Sequence, residues 1–221
     1  MYKALTRIVF LSSVTALALT IASAKPTVEI NTNYGNILIE LADKEAPITV
    51  KNFLEYAENG HYEDTIFHRV IKGFMIQGGG FSPNMVQKTT LAPIKIESMN
   101  GLKNDLGTIA MARTGNPNSA TNQFFINTKD NEFLNYTAAN SEGYGYTVFG
   151  KVIEGMDVIT TIENLNTSNQ DGHQDVPITQ VIIRKITILH DEVDDMPSNH
   201  INEATQEETS ADSSNTDKIL Y

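Results

Sequence analysis

The sequence predicts a mainly β domain: an antiparallel sheet or barrel capped by two helices. Many short segments alternate apolar and polar residues, and only two stretches repeat apolar residues at helical spacing. Strands and helices do not alternate along the chain, which argues against a doubly wound parallel sheet.

Residues 27–31 (TVEIN) and 35–41 (GNILIEL) alternate and form two strands joined at Asn33-Tyr34-Gly35. Pro47 suits the first turn of a helix. Val50, Phe53, Leu54 and Ala57 continue that helix on one face, and Asn59-Gly60 ends it. Residues 65–71 (TIFHRVI) and 74–77 (FMIQ) follow as strands. Residues 94–97 make a short one, and 107–113 (GTIAMAR) and 123–127 (QFFIN) flank a Gly/Asn/Pro/Ser loop. Residues 146–152 are a further strand, 156–165 a second helix, and 181–189 (VIIRKITIL) the closing strand.

Both ends of the chain read differently. Lys3 and Arg7 precede an apolar run over 8–21, and Ala22-Ser23-Ala24 offers a cleavage site, so residues 1–24 are expected to be a signal peptide. The run is too short to span a membrane as a helix. From residue 190 onward, nine acids face only Lys218, and the expectation is an acidic disordered tail over 190–221. Between them lies one domain, residues 25–189. The formal charge of −11 sits mostly in the tail. The acidic balance argues against general nucleic-acid binding, and with the signal removed no membrane attachment is expected. The chain has no cysteine, which excludes disulfides, Cys-based metal sites and a thiol nucleophile, and suits an oxidising compartment.

Gly78-Gly79-Gly80 lacks the spacing of a phosphate loop and reads as a permissive turn. The histidines show no metal-ligand spacing. His68 is expected to be a hydrogen-bonded core residue, and His61 and His173 to lie in loops. No G-x-S-x-G elbow is present. Alternation sets Arg69 on the face opposite His68 and Val70. It pairs Met75 with Gln77, and groups Gln123, Phe125 and Asn127. Polar groups sharing a face with Phe and Met describe a half-apolar groove better than a core. Plain packing is the other reading for Phe74 and Phe125, and a surface ion pair the other reading for Arg69.

Residues 67–81 (FHRVIKGFMIQGGGF), 107–113 (GTIAMAR), 122–127 (NQFFIN) and 146–156 (YTVFGKVIEGM) together resemble the cyclophilin family of peptidyl-prolyl cis-trans isomerases, in collinear order over residues 27–189. The resemblance implies a closed eight-stranded antiparallel β-barrel capped by two α-helices. It implies rotation of X-Pro bonds in proline-containing polypeptides by a monomer without metal or cofactor. It assigns catalytic roles to Arg69, Gln77 and Phe74, and substrate contacts to Met75, Ala112, Arg113, Gln123, Phe125, Phe133, Leu134 and Tyr146. Phe133 stands where the family often has tryptophan, Tyr146 where it has histidine, and Arg113 where it has asparagine. The first two changes resemble bacterial, including periplasmic, members and imply weak cyclosporin binding, because the indole donor is lost. A periplasmic folding assistant is the expectation, with full secretion as the other location. A peptide-binding chaperone with incidental isomerase activity is the other function.

Overall fold

The computed structural model describes residues 25–140 and 142–189. The expected signal peptide and acidic tail lie outside the described residues. The elements are β1 (Thr27–Thr32), β2 (Gly35–Leu41), α1 (Pro47–Glu58), β3 (Thr65–Ile71), β4 (Met75–Gly78), β5 (Thr108–Met111), β6 (Phe124–Asn127), a 3₁₀ turn (Glu132–Leu134), β7 (Val148–Glu154), α2 (Met156–Glu163), β8 (Thr167–Gln170), β9 (His173–Pro177) and β10 (Ile182–Leu189). Eight strands close an antiparallel barrel in the order β1-β10-β3-β4-β6-β5-β7-β2, with β2 returning to β1. This is the fold class the sequence predicted. Strand and helix ends fall within two residues of the expected ones.

Alternation drives the closure. On β1 and β2, Val28, Ile30, Ile37, Ile39 and Leu41 point inward and are fully buried, while their neighbours face solvent. The interior is filled by aromatic side chains meeting edge to face: Phe124 lies 5.6 Å from Phe53 and 5.9 Å from Phe67. Val50 and Phe53 of α1, and Ile159 and Ile162 of α2, belong to the same core, so the helices complete the barrel's hydrophobic filling. Helix α1 begins at Ala46-Pro47, with no side-chain cap of its own. Glu97 supplies one from a distance, accepting from the Ile48 and Thr49 amides at 3.1 and 2.8 Å and from the Thr49 hydroxyl at 2.7 Å. A carboxylate there satisfies free N–H groups and faces the positive end of the helix.

Three expectations need correction. Residues 94–97 do not form a strand. Ile94 makes one isolated bridge to Ala120, and the Ile96 and Glu97 amides donate to the side chains of Asn118 and Thr147 instead of a ladder. Second, β8 and β9 form a two-stranded hairpin that the pattern of hydrophobicity does not announce, because β8 is exposed throughout. Its signal is Asp171-Gly172. Both residues have positive φ, 50° and 82°, as a two-residue hairpin turn requires.

The third correction concerns β3. The register passes from Phe67 opposite Gly78 to Arg69 opposite Gln77, so His68 is the extra residue of a β-bulge. Phe67 and Val70 still face the core, but His68 no longer points away from Arg69: both line one groove.

Candidate active site

The groove lies on the outer face of the barrel, across β3, β4, β6 and β5, and encloses about 520 Å³. Its first half is apolar. Met75, Phe125 and Leu134 are buried, and Phe74, Ala112 and Tyr146 pack against them. The Phe125 and Tyr146 rings meet edge to face at 5.5 Å. These side chains are separate from the barrel interior because β4 and β6 turn alternate residues outward: Ile76, Phe124 and Ile126 go into the core, while Met75 and Phe125 go to the groove.

Its rim is polar. The Gln77 amide donates to Gln123 Oε1 at 2.9 Å. Gly78-Gly79-Gly80 makes room for this arrangement and for the core beneath. A Cβ on Gly78 would meet Phe67, one on Gly79 would meet Tyr62 and Phe124, and one on Gly80 would lie 2.5 Å from Gln123 Cγ. The run is a close-packing device: Gly78 ends β4, and only Gly79, with φ of 85°, needs the conformational freedom of a turn glycine. The Arg69 side chain is 43% exposed, and its Nε sits 3.6 Å from Asp175 Oδ2. Arg113 is tied down: Nε donates to Gly145 O at 2.8 Å, Nη1 to Thr114 O at 2.9 Å, and the guanidinium carbon lies 4.8 Å above the Tyr146 ring. It walls the groove with its charge engaged by carbonyls and an aromatic face.

Ten of the eleven residues expected at the site line this cavity. Phe133 does not. Its ring is 72% exposed and stacks on Phe74 from outside, 5.6 Å away. Asn127, expected on the groove face, is fully buried and acts as an anchor. Its amide donates to Thr108 Oγ1 at 2.9 Å, and its Oδ1 accepts from Asn131 at 2.8 Å. Asn131 also donates to Phe74 O at 2.8 Å, while Asn104 donates to Leu134 O at 3.0 Å. These asparagines fix the backbone of two apolar walls, and nothing in the hydrophobic pattern marks them.

The second half of the groove was not foreseen. It is made by His68, Phe81 and, from the β8–β9 hairpin, Gly172, His173 and Gln174. Phe81 lies between two imidazoles, 4.6 Å from His68 and 4.9 Å from His173. His68 is buried as expected, 4% exposed, but its Nδ1 has no partner. Burial, with His173 and Arg69 nearby, lowers its pKa to about 4, so the ring is neutral at physiological pH. The groove is therefore lined by two guanidinium groups, three side-chain amides, two imidazoles and apolar walls; its one hydroxyl is the Tyr146 phenol, and it has no carboxylate, serine, threonine or thiol side chain. That inventory can grip and orient an uncharged chain and donate hydrogen bonds, and it provides no nucleophile. Among the described residues, no three His, Cys, Asp or Glu side chains cluster at metal-binding range, and no helix is long and apolar enough to cross a membrane.

Comparison with known proteins gives a consistent picture. The family model for cyclophilin-type peptidyl-prolyl cis-trans isomerases matches residues 27–188. The chain is 60% identical to peptidyl-prolyl cis-trans isomerase cyp18 of Streptomyces antibioticus, over 74% of this chain and 98% of that one. It is 56% identical to peptidyl-prolyl cis-trans isomerase B of Escherichia coli K12, over 73% and 98%. A solved Cryptosporidium parvum cyclophilin-type isomerase superposes with a TM-score of 0.62 at 35% identity, covering 75% of this chain and 98% of that one. A second structure of it, determined in the presence of the dipeptide Ala-Pro, gives 0.61 at the same identity, covering 74% and 99%.

Proposed function

The chain belongs to the cyclophilin-type peptidyl-prolyl cis-trans isomerases, and we propose that it rotates X-Pro bonds by a non-covalent route centred on Arg69. Resonance holds the C–N bond planar behind a barrier of ~18–20 kcal/mol. X-Pro bonds populate both isomers yet exchange over tens to hundreds of seconds. In the twisted state the conjugation is broken, and the nitrogen becomes pyramidal and basic. A guanidinium beside it then donates a hydrogen bond that the planar amide accepts poorly, so the interaction strengthens only as the barrier is climbed. Arginine suits this task because it stays protonated and presents a rigid fork.

In this reading the proline ring occupies the Phe74/Met75/Phe125/Leu134 half, and Gln77 and Gln123 hold the peptide backbone while the preceding carbonyl swings. The observation that carries it is the juxtaposition of an apolar cavity, an amide pair and a half-exposed guanidinium in one groove. Arg69→Ala is expected to lower kcat/KM by roughly 10²- to 10³-fold, the usual scale for losing a transition-state donor, with the fold intact. Exchange NMR on a proline peptide reads the rate directly, and a wild-type rate in the variant would refute the role. Cyclosporin binding is expected to be weak, since Phe133 offers ring area and no donor.

We also infer that the protein acts on exported polypeptides in a periplasm, with residues 1–24 removed. The charged-then-apolar leader and the cysteine-free chain support this. Terminal sequencing of protein exported by a Gram-negative host is expected to start at Lys25, and an intact chain confined to the cytoplasm would overturn the assignment.

A further inference from the structure

We propose that Asp175 is a positioning residue for Arg69: its carboxylate holds the Nε edge of the guanidinium and leaves the two Nη groups to the substrate. The proposal rests on the reading that Arg69 acts at the X-Pro amide.

Two bulges bring the pair together. On β3 the bulge at His68 re-aims the strand so that Arg69 and His68 share the groove. On β9, Gln170 pairs with His173 and Ser168 with Val176, so Gln174 and Asp175 stand opposite one residue of β8. Asp175 itself has φ of 60°, in the left-handed region that aspartate, asparagine and glycine adopt more readily than other residues. β9 packs against β3, and the result is a carboxylate oxygen 3.6 Å from Arg69 Nε. An irregular ladder and a left-handed backbone position thus converge on one side chain, and that side chain faces the arginine.

The pair does little for stability. Both partners are roughly two-fifths exposed, and an ion pair so open to solvent contributes little to folding. Its consequence is directional. A guanidinium is planar, so holding the Nε edge fixes where the opposite edge points. The ion pair is made through Nε, and the Arg69 side chain is 43% exposed and lines the groove, which leaves the Nη donors to a bound peptide. An arginine already oriented loses less freedom when it engages a twisted amide, and that gain appears in the rate rather than in ground-state binding.

The test uses two substitutions chosen for the backbone. Glycine adopts φ of 60° without strain and removes the carboxylate. Asparagine also tolerates the left-handed region and keeps a side-chain acceptor. Asp175→Gly is expected to lower kcat on an X-Pro peptide roughly five- to twentyfold, less than the 10²-fold that misplacing a reacting group by about 1 Å costs, with KM changed less than twofold. Asp175→Asn is expected to recover most of the rate. In an Arg69→Ala background, Asp175→Gly is expected to have no further effect, since its influence passes through the arginine. A wild-type or faster rate in Asp175→Gly overturns the proposal. So does a loss of equal size in the Arg69→Ala background, which would mark a general role of the hairpin. Should the glycine variant not fold, Asp175→Ser is judged by the same criteria. Full activity in Arg69→Ala alone would remove the underlying reading first.

Discussion

Acid destabilisation should report the burial of His68. The ring is 4% exposed, its Nδ1 is unpartnered, and burial together with His173 and Arg69 lowers its pKa from 6.5 to about 4. Below pH 6.5 the unfolded chain takes up a proton at this histidine that the folded chain refuses. Unfolding therefore becomes easier as the pH falls. The contribution is intact above 6.5, is lost progressively between 6.5 and about 4, and changes no further below that. The gap corresponds to about 3 kcal/mol at its full extent, taking ~1.36 kcal/mol for each pH unit. His68→Gln keeps a polar side chain that does not titrate. Urea unfolding of both proteins at pH 7, 6, 5 and 4 isolates the term, because every other titrating group is common to the two. The wild type is expected to lose about 3 kcal/mol more than the variant between pH 7 and 4, with parallel behaviour above 6.5. Parallel curves across the whole range would refute the burial argument, since they would mean that His68 protonates as readily in the folded state as in the unfolded one.

Two further substitutions probe the groove's supports. Asn131→Ala removes the donor to Asn127 Oδ1 and one of two donors to Phe74 O, the other being the Thr128 amide at 3.0 Å. It is expected to cost about 1–3 kcal/mol in urea unfolding, the desolvation of one buried acceptor, and to raise KM as the Phe74 wall loosens. An unchanged KM would show that Phe74 is held by packing alone. Gly80→Ala sets a Cβ against the flexible Gln123 side chain and not against backbone, so Gln123 swings away and its bond with Gln77 breaks. The expected result is a thermal midpoint within a few degrees of wild type and a clear fall in kcat/KM by exchange NMR. Unchanged kinetics would remove the amide pair from the mechanism.

What the sequence reveals depends on whether a feature is encoded by local contrast. β1 and β2 were legible because each inward residue sits between outward polar ones, and burial follows that pattern residue by residue. The groove face was legible for the same reason: Met75 with Gln77, and Gln123 with Phe125, do share a side. The chemical roles of Arg69 and Gln77 came from the family resemblance, since periodicity assigns a face and not a task. His68 escaped because a bulge costs one residue of register and leaves no mark in hydrophobicity. The β8–β9 hairpin escaped because it buries almost nothing on β8, so its strands carry no apolar alternation. Only Asp171-Gly172 betrays it, through the positive φ a two-residue hairpin turn demands. That hairpin is where the sequence reading and the site part company most. It delivers His173 and Gln174 to the groove and Asp175 to Arg69, across a contact that only the closed barrel creates. Val176 anchors β9 to Ile66, Phe81 and Met85, while the bulge beside it turns Asp175 toward the groove's cation, so one strand serves both the packing and the arginine.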